Sequence, residues 1–323
     1  MKNYTFDFYN SASLKAYNLN DTMRFQLSIL DRMDPITKRH SGNVANLVCR
    51  ICEYLHLNSQ AIIHATMSGY LHDVGKLMVP QEILHKPDKL TDEEFEIIKT
   101  HTTKGYEICM KNPELRPYAR TALCHHEALN GTGYPNGITK KEIPFETQVV
   151  TVADEYDALV TKRHYKTHIN ISEALREIMK DALPDADVKI IALDQLNINK
   201  KLGKINPKIL KILFKVVIDD IYYEISTVQN YIDYLNGEVK RLKIIEGYYS
   251  KMINSKRDKD KNYFLDGINL LLADGETVEN FQDIFEDYKT ALNNKLEQID
   301  KLENEIKEST CIGAYKNEIK VEL

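Results

Sequence analysis

Along most of this chain apolar side chains return every three or four residues, and that period limits what it can fold into. Between Thr37 and Leu57 the apolar positions are Val44, Leu47, Val48, Ile51 and Leu55, which fall on one face of a helix. A second helix is expected over 59–72. Thr91-Asp92-Glu93-Glu94 has the form of a capping box and predicts a third helix running to about Met110. Further helices are predicted over 118–128, 146–160, 172–182 and 207–225. Strand-like alternation is confined to 188–193. The stretch Asn130-Gly131-Thr132-Gly133-Tyr134-Pro135-Asn136-Gly137 holds too much glycine and proline for helix or strand, so it must be a loop with defined turns. The fold class is therefore all-α.

From Ile225 the pattern tightens. Ile225, Val228, Ile232, Leu235, Val239 and Leu242 keep a coiled-coil spacing, and after a charged break at Ser255–Lys261 a second helical run carries Phe281, Phe285, Tyr288, Leu292, Leu296, Ile299 and Ile306. Two roles suit this pair: long helices packed on each other or on the main domain, or an arm that binds a partner, a second copy of the chain in a homodimer being the favoured case. The division expected is an N-terminal segment 1–33, a main domain 34–224 and a C-terminal helical, coiled-coil-like extension 225–323.

Composition narrows the function. With 323 residues, 43% hydrophobic and 28% charged, the chain has the balance of a globular protein with a sizeable core. Its net charge of −5 argues against broad binding to large nucleic acids, but not against a small anion held by local cations. No apolar run approaches the roughly 20 residues that span a bilayer, and the first residues lack the apolar core of a secretory signal. The expectation is a cytoplasmic protein without a membrane partner. Cys49, Cys52, Cys109, Cys124 and Cys311 make no disulfide framework, and the lone Cys49-Arg50-Ile51-Cys52 lies in a helical pattern, which reads as buried thiols.

Chemistry gathers around Leu71-His72-Asp73-Val74-Gly75-Lys76. Imidazole beside carboxylate suits a transition-metal ion, and one aspartate can serve two ions. Lys76 follows His72 by four residues and Asp73 by three, so it can share their helical face. His125-His126-Glu127 ends a helix just before the glycine-rich loop and looks like the edge of a site. Asp154 sits within an apolar run, where an unpartnered carboxylate is costly to bury. Asp157 lies one turn on and can share its face. With His40 and His101, the residues His72, Asp73, His125, His126 and Asp154 make a donor set of the size and type that two octahedral first-row ions need, Asp73 bridging.

The order of these residues resembles the HD-GYP subfamily of the HD metal-dependent phosphohydrolases: His40, then His72-Asp73-Val74-Gly75-Lys76, His101, His125-His126-Glu127, Gly133-Tyr134-Pro135, and Asp154 with Asp157. Lys86-Pro87, Lys89-Leu90, Lys99-Thr100-His101, Asn130-Gly131 and Arg163-His164-Tyr165-Lys166 extend the likeness over about 34–220. The resemblance implies an HD-type helical bundle that hydrolyses cyclic di-GMP to linear pGpG, with GMP as the product of a further cleavage, by a hydroxide shared between metal ions. It implies His40, His72, Asp73, His101, His125, His126 and Asp154 as ligands, Asp73 and Lys76 as catalytic groups, and Lys76, Tyr134, Asp157, Arg163 and Lys166 as substrate contacts. Iron is the expected metal, with manganese next.

Two departures bear on that expectation. Ile36 stands where some family members carry a glutamate that helps hold a third metal, so a dinuclear centre is expected. His164 replaces the family's usual proline. Two other readings stay open: a phosphodiesterase for another cyclic dinucleotide such as 3′,3′-cGAMP, and a nucleotide-binding sensor or scaffold.

Overall fold

The computed structural model describes residues 28–161, 171–182 and 203–312. The regular structure among these residues is helical, with no strand and a single antiparallel bridge between Asn130 and Thr139. The main helices are α1 (Pro35–Tyr54), α2 (Ser59–Leu71), α3 (Asp92–Lys99), α4 (His101–Lys111), α5 (Ala119–Cys124), α6 (Phe145–Val160), α7 (Ile171–Ala182), α8 (Pro207–Asn254), α9 (Asp258–Asn269) and α10 (Phe281–Ile312). The strand-like stretch 188–193 lies outside the described residues.

Local chemistry sets the helix starts. Asp34 caps α1, its Oδ1 accepting from the N–H groups of Ile36 at 3.1 Å and Thr37 at 2.9 Å, and Pro35 takes the first turn, where its missing N–H does no harm. Thr91 and Glu94 form the expected capping box at α3. The helix expected from Thr91 to Met110 breaks at Thr100, whose Oγ1 donates to Ile97 O at 2.6 Å. The segments expected at 207–225 and beyond Ile225 join into one helix, α8.

The described residues form two compact units, one running to Val217 and taking in Glu308 onward, the other Ile218–Lys307. In the first unit Val44, Val48, Ile51 and Cys52 of α1 are fully buried, as are Val149, Val150 and Val152 of α6. A second apolar cluster joins Met67 and Leu71 of α2 and Val74 to Cys109 of α4 and Ala122 of α5. Leu71 and Val74 thus anchor both sides of His72-Asp73. Cys49, Cys52, Cys109 and Cys124 are buried and unpaired; burial pushes the Cys49 thiol up to about 11 and Cys52 to about 12, which leaves them unreactive near neutral pH.

In the second unit the coiled-coil seam closes on the chain's own helices. Val228, Ile232, Leu235 and Leu242 are buried. Leu242 and Ile245 pack with Ile268, Phe281 and Phe285. Helices α8 and α10 run antiparallel, since Tyr234 meets Tyr288 while Gln298 reaches back to Glu224. Arg241 ties the connection, donating to both carboxylate oxygens of Glu276 at 2.6 Å and to Leu271 O at 2.7 Å.

Candidate metal centre

Five segments converge on one point of the first unit. His40 comes from the second turn of α1, His72 and Asp73 follow α2, His101 opens α4, His125 and His126 follow α5, and Asp154 lies in α6. Their donor atoms form three overlapping groups, each within 4.8 Å: His40 with His72 and Asp73; His72 with His125 and Asp154; His101 with His125 and His126. Together these groups contain all seven residues that the sequence put forward.

Backbone periodicity aims the rings. His72 Nδ1 lies 2.6 Å from Gly69 O and His101 Nδ1 2.7 Å from Ile98 O, each a carbonyl three residues back. His125 Nδ1 faces the carbonyls of Thr121 and Ala122 at 3.2 and 3.1 Å. A carbonyl only accepts, so each of these rings carries its proton on Nδ1 and turns a bare Nε2 inward. His40 is held from the side chain instead: its Nδ1 donates to Asp157 Oδ2 at 2.7 Å, and Asn43 Nδ2 donates to Asp157 Oδ1 at 3.0 Å.

Asp73 divides the centre. Its Oδ1 lies 3.4 Å from His101 Nε2 and 3.8 Å from His125 Nε2. Its Oδ2 lies 3.3 Å from His72 Nε2, 3.6 Å from His40 Nε2 and 2.5 Å from Lys76 Nζ. Asp154 Oδ1 completes the second group, 2.9 Å from His40 Nε2 and 3.8 Å from His72 Nε2.

The electrostatics are those of a site built for cations. Burial pushes the His125 imidazole well down and His126 down to about 3, and it outweighs the pull of Asp73 on His101, so these rings are neutral. Burial would also depress His40, yet the carboxylates of Asp154, Asp157 and Asp73 raise it to about 10. Asp73 and Asp154 are buried, which opposes ionisation, but the charges and hydrogen bonds around them hold both carboxyls well below the usual range.

The residues fit a metal. His72 Nε2 and Asp73 Oδ1 are buried with no hydrogen-bond partner in the chain. His101 Nε2 and His125 Nε2 stand 3.0 Å apart, and with both Nδ1 atoms committed to carbonyls, two lone pairs face each other. That arrangement is repulsive unless a cation takes both. Mixed imidazole and carboxylate donors suit first-row divalent ions.

Two glycines let the segments meet. A Cβ on Gly75 would stand 1.8 Å from His101 O and 2.4 Å from Gly105 N, so only glycine allows the turn after Asp73 to lie against α4. A Cβ on Gly133 would stand 2.2 Å from Ala128 N. The loop that follows is fastened by Glu127, whose buried carboxylate accepts from Asn136 N at 2.7 Å and Ile138 N at 3.1 Å, while Tyr134 N donates to His126 O at 3.1 Å. The Tyr134 ring thereby stacks on His126, centroids 4.8 Å apart and planes at 27°.

Of the expected substrate contacts, Lys76 and Tyr134 border the cluster. Asp157 does not present a free carboxylate, since both oxygens are engaged by His40 and Asn43 and the residue is 4% exposed. Arg163, His164 and Lys166 lie outside the described residues. Sequence reasoning missed Asn43, although it sits three residues after His40 on the same helical face. It also left Glu127 at the edge of the site, whereas the carboxylate turns into the loop.

A family model described as HD domain matches residues 24–190. A protein of Thermotoga maritima named cyclic di-GMP phosphodiesterase is 43% identical over 147 residues, which cover 45% of this chain and 40% of that protein. A cyclic di-GMP phosphodiesterase of Pseudomonas aeruginosa is 35% identical over 46% of this chain and 36% of its own length. A 3′3′-cGAMP-specific phosphodiesterase of Vibrio cholerae is 37% identical over 49% of this chain and 34% of its own. The matched stretch thus spans two fifths or less of each of these relatives.

Proposed function

This chain belongs to the HD domain family, and on that premise we propose that it is a metal-dependent phosphodiesterase that opens cyclic di-GMP to linear pGpG. The observation that carries the reading is Asp73, whose two oxygens face two different sets of imidazoles. We assign His40, His72, Asp73, His101, His125, His126 and Asp154 as ligands of two divalent ions, iron first and manganese second. Ile36, 47% exposed and without a ligating atom, supports two ions over three. When bound, such ions supply Lewis acidity and lower the pKa of water so that hydroxide is available near neutral pH.

The chain's own groups do the rest. Lys76 Nζ, paired with Asp73 Oδ2 at 2.5 Å, brings a positive charge to the non-bridging oxygens of the phosphate as negative charge develops there. Tyr134, fixed by Glu127 and His126, walls one side of the centre and limits water access. Asp157 acts through His40, holding its proton on Nδ1 and its Nε2 toward the ions. Arg163 and Lys166 are assigned to the non-bridging oxygens of the substrate phosphates; local cations of this kind let a chain of net charge −5 hold a dianion. The substrate assigns the reaction to the cytoplasm. We take residues 34–224 as the catalytic domain.

The test is metal analysis of anaerobically purified protein, coupled to product identification after incubation with cyclic di-GMP. Two metal equivalents per chain and pGpG as first product are expected. Metal-loaded protein that leaves cyclic di-GMP intact overturns the reading. The likeness to a relative named for 3′3′-cGAMP motivates a parallel assay, in which a higher kcat/KM on cGAMP reassigns the substrate. Tight binding without turnover of either nucleotide identifies a sensor.

A further inference from the structure

Helix α3 is amphipathic, yet none of its side chains is buried. Its Phe95 is 45% exposed. One turn on, Lys99 Nζ lies 5.0 Å from the centre of the Phe95 ring and 5.5 Å from that of Tyr134. The same ammonium pairs with Glu96 Oε1 at 2.6 Å and remains 29% exposed at the side chain. Tyr134 in turn stacks on His126, a member of the metal cluster. Two aromatic faces bridged by one cation therefore lead outward from the cluster to solvent.

A single exposed phenylalanine is ordinary and needs no explanation. What sets Phe95 apart is continuity: it is the outer end of a run of contacts, through Lys99 and Tyr134, whose inner end His126 is a candidate ligand. We propose that Phe95, Lys99 and Tyr134 form a ledge that receives the face of a purine base of the cyclic dinucleotide, with Phe95 setting affinity. The proposal rests on the phosphodiesterase reading above. Stacking of a base on an aromatic ring tolerates base identity because every base has a π-face. Lys99 adds a cation beside that surface, near the sugar-phosphate of the stacked nucleotide. The ledge therefore holds a purine without telling guanine from adenine, and any discrimination resides elsewhere in the site.

The experiment is steady-state kinetics of the full, metal-loaded chain carrying Phe95→Leu, which keeps apolar bulk and removes the ring. KM for cyclic di-GMP should rise about tenfold, with a similar factor for 3′,3′-cGAMP, while kcat changes by less than about twofold. Phe95→Trp should restore the low KM. An unchanged KM in Phe95→Leu, or a fall in kcat at constant KM, overturns the ledge and leaves the phosphodiesterase reading standing. Failure of the unsubstituted protein to hydrolyse either nucleotide overturns both, and the two failures are told apart by that control.

Discussion

His72 Nε2 and Asp73 Oδ1 are polar atoms that the chain buries and does not satisfy. Replacing either residue by alanine should abolish metal loading together with hydrolysis, and full turnover in either variant would refute the assignment; elemental analysis and a rate assay on the same sample read both. Asp157 makes a different prediction. If it held substrate, Asp157→Asn would raise KM. As the support of His40, it should weaken metal affinity by about 10–100-fold and leave KM of the fully loaded enzyme near its original value. A chelator-competition titration separates the two. The candidate ligands were legible as a set, through their order along the chain and its likeness to the HD-GYP pattern; taken singly, only Asp154, a carboxylate within an apolar run, demanded a partner. The bonds that engage Asp157 were not legible, because His40 lies 117 residues away and only folding brings them together.

Among the elements, the turn after Asp73 and the loop before Pro135 are fixed by close approach. Gly75→Ala would drive a Cβ into His101 O, separating the turn from α4. We expect a loss of more than about 2 kcal/mol in chemical denaturation, with weaker metal binding, because the candidate ligands on both sides shift. The sequence marks this glycine through its place in a motif; the reason for it belongs to tertiary packing and is invisible until α4 is in position. The break at Thr100 has the same character: the capping box predicts where α3 begins, but nothing in the local pattern says that the helix must stop just before His101. In the second unit the Arg241 hydrogen bonds hold the Glu276 carboxyl below its ordinary value of 4.5. A depressed carboxylate contributes stability fully above that value and loses it as pH falls through the lowered one. Glu276→Gln should therefore destabilise the unit at neutral pH, and the difference from the unsubstituted protein should shrink as the solution is acidified below 4.5, read by urea unfolding across pH.

At the scale of the molecule, the all-α class was legible from periodicity alone, as was the existence of a distinct C-terminal helical region. The partner of its seam was not: a heptad-like spacing is the same whether another copy or the chain's own α10 covers it. The second unit holds none of the candidate ligands. Chelation should therefore act on one unit. On treatment with a metal chelator, amide protection in α4 and α6 should fall, by about 4 kcal/mol if the metal is present at a thousand times its Kd, while α9 and the part of α10 up to Lys307 keep theirs; hydrogen exchange followed by mass spectrometry measures it. A uniform loss would contradict the assignment. The spread of donors along the chain also fixes a clock. His40 and its support Asp157 are 117 residues apart, which at ~5–20 residues per second separates their synthesis by roughly 6–23 s. Throughout that interval a ribosome-bound chain carries His40 without its support, so the complete set of candidate donors exists only after translation has passed α6.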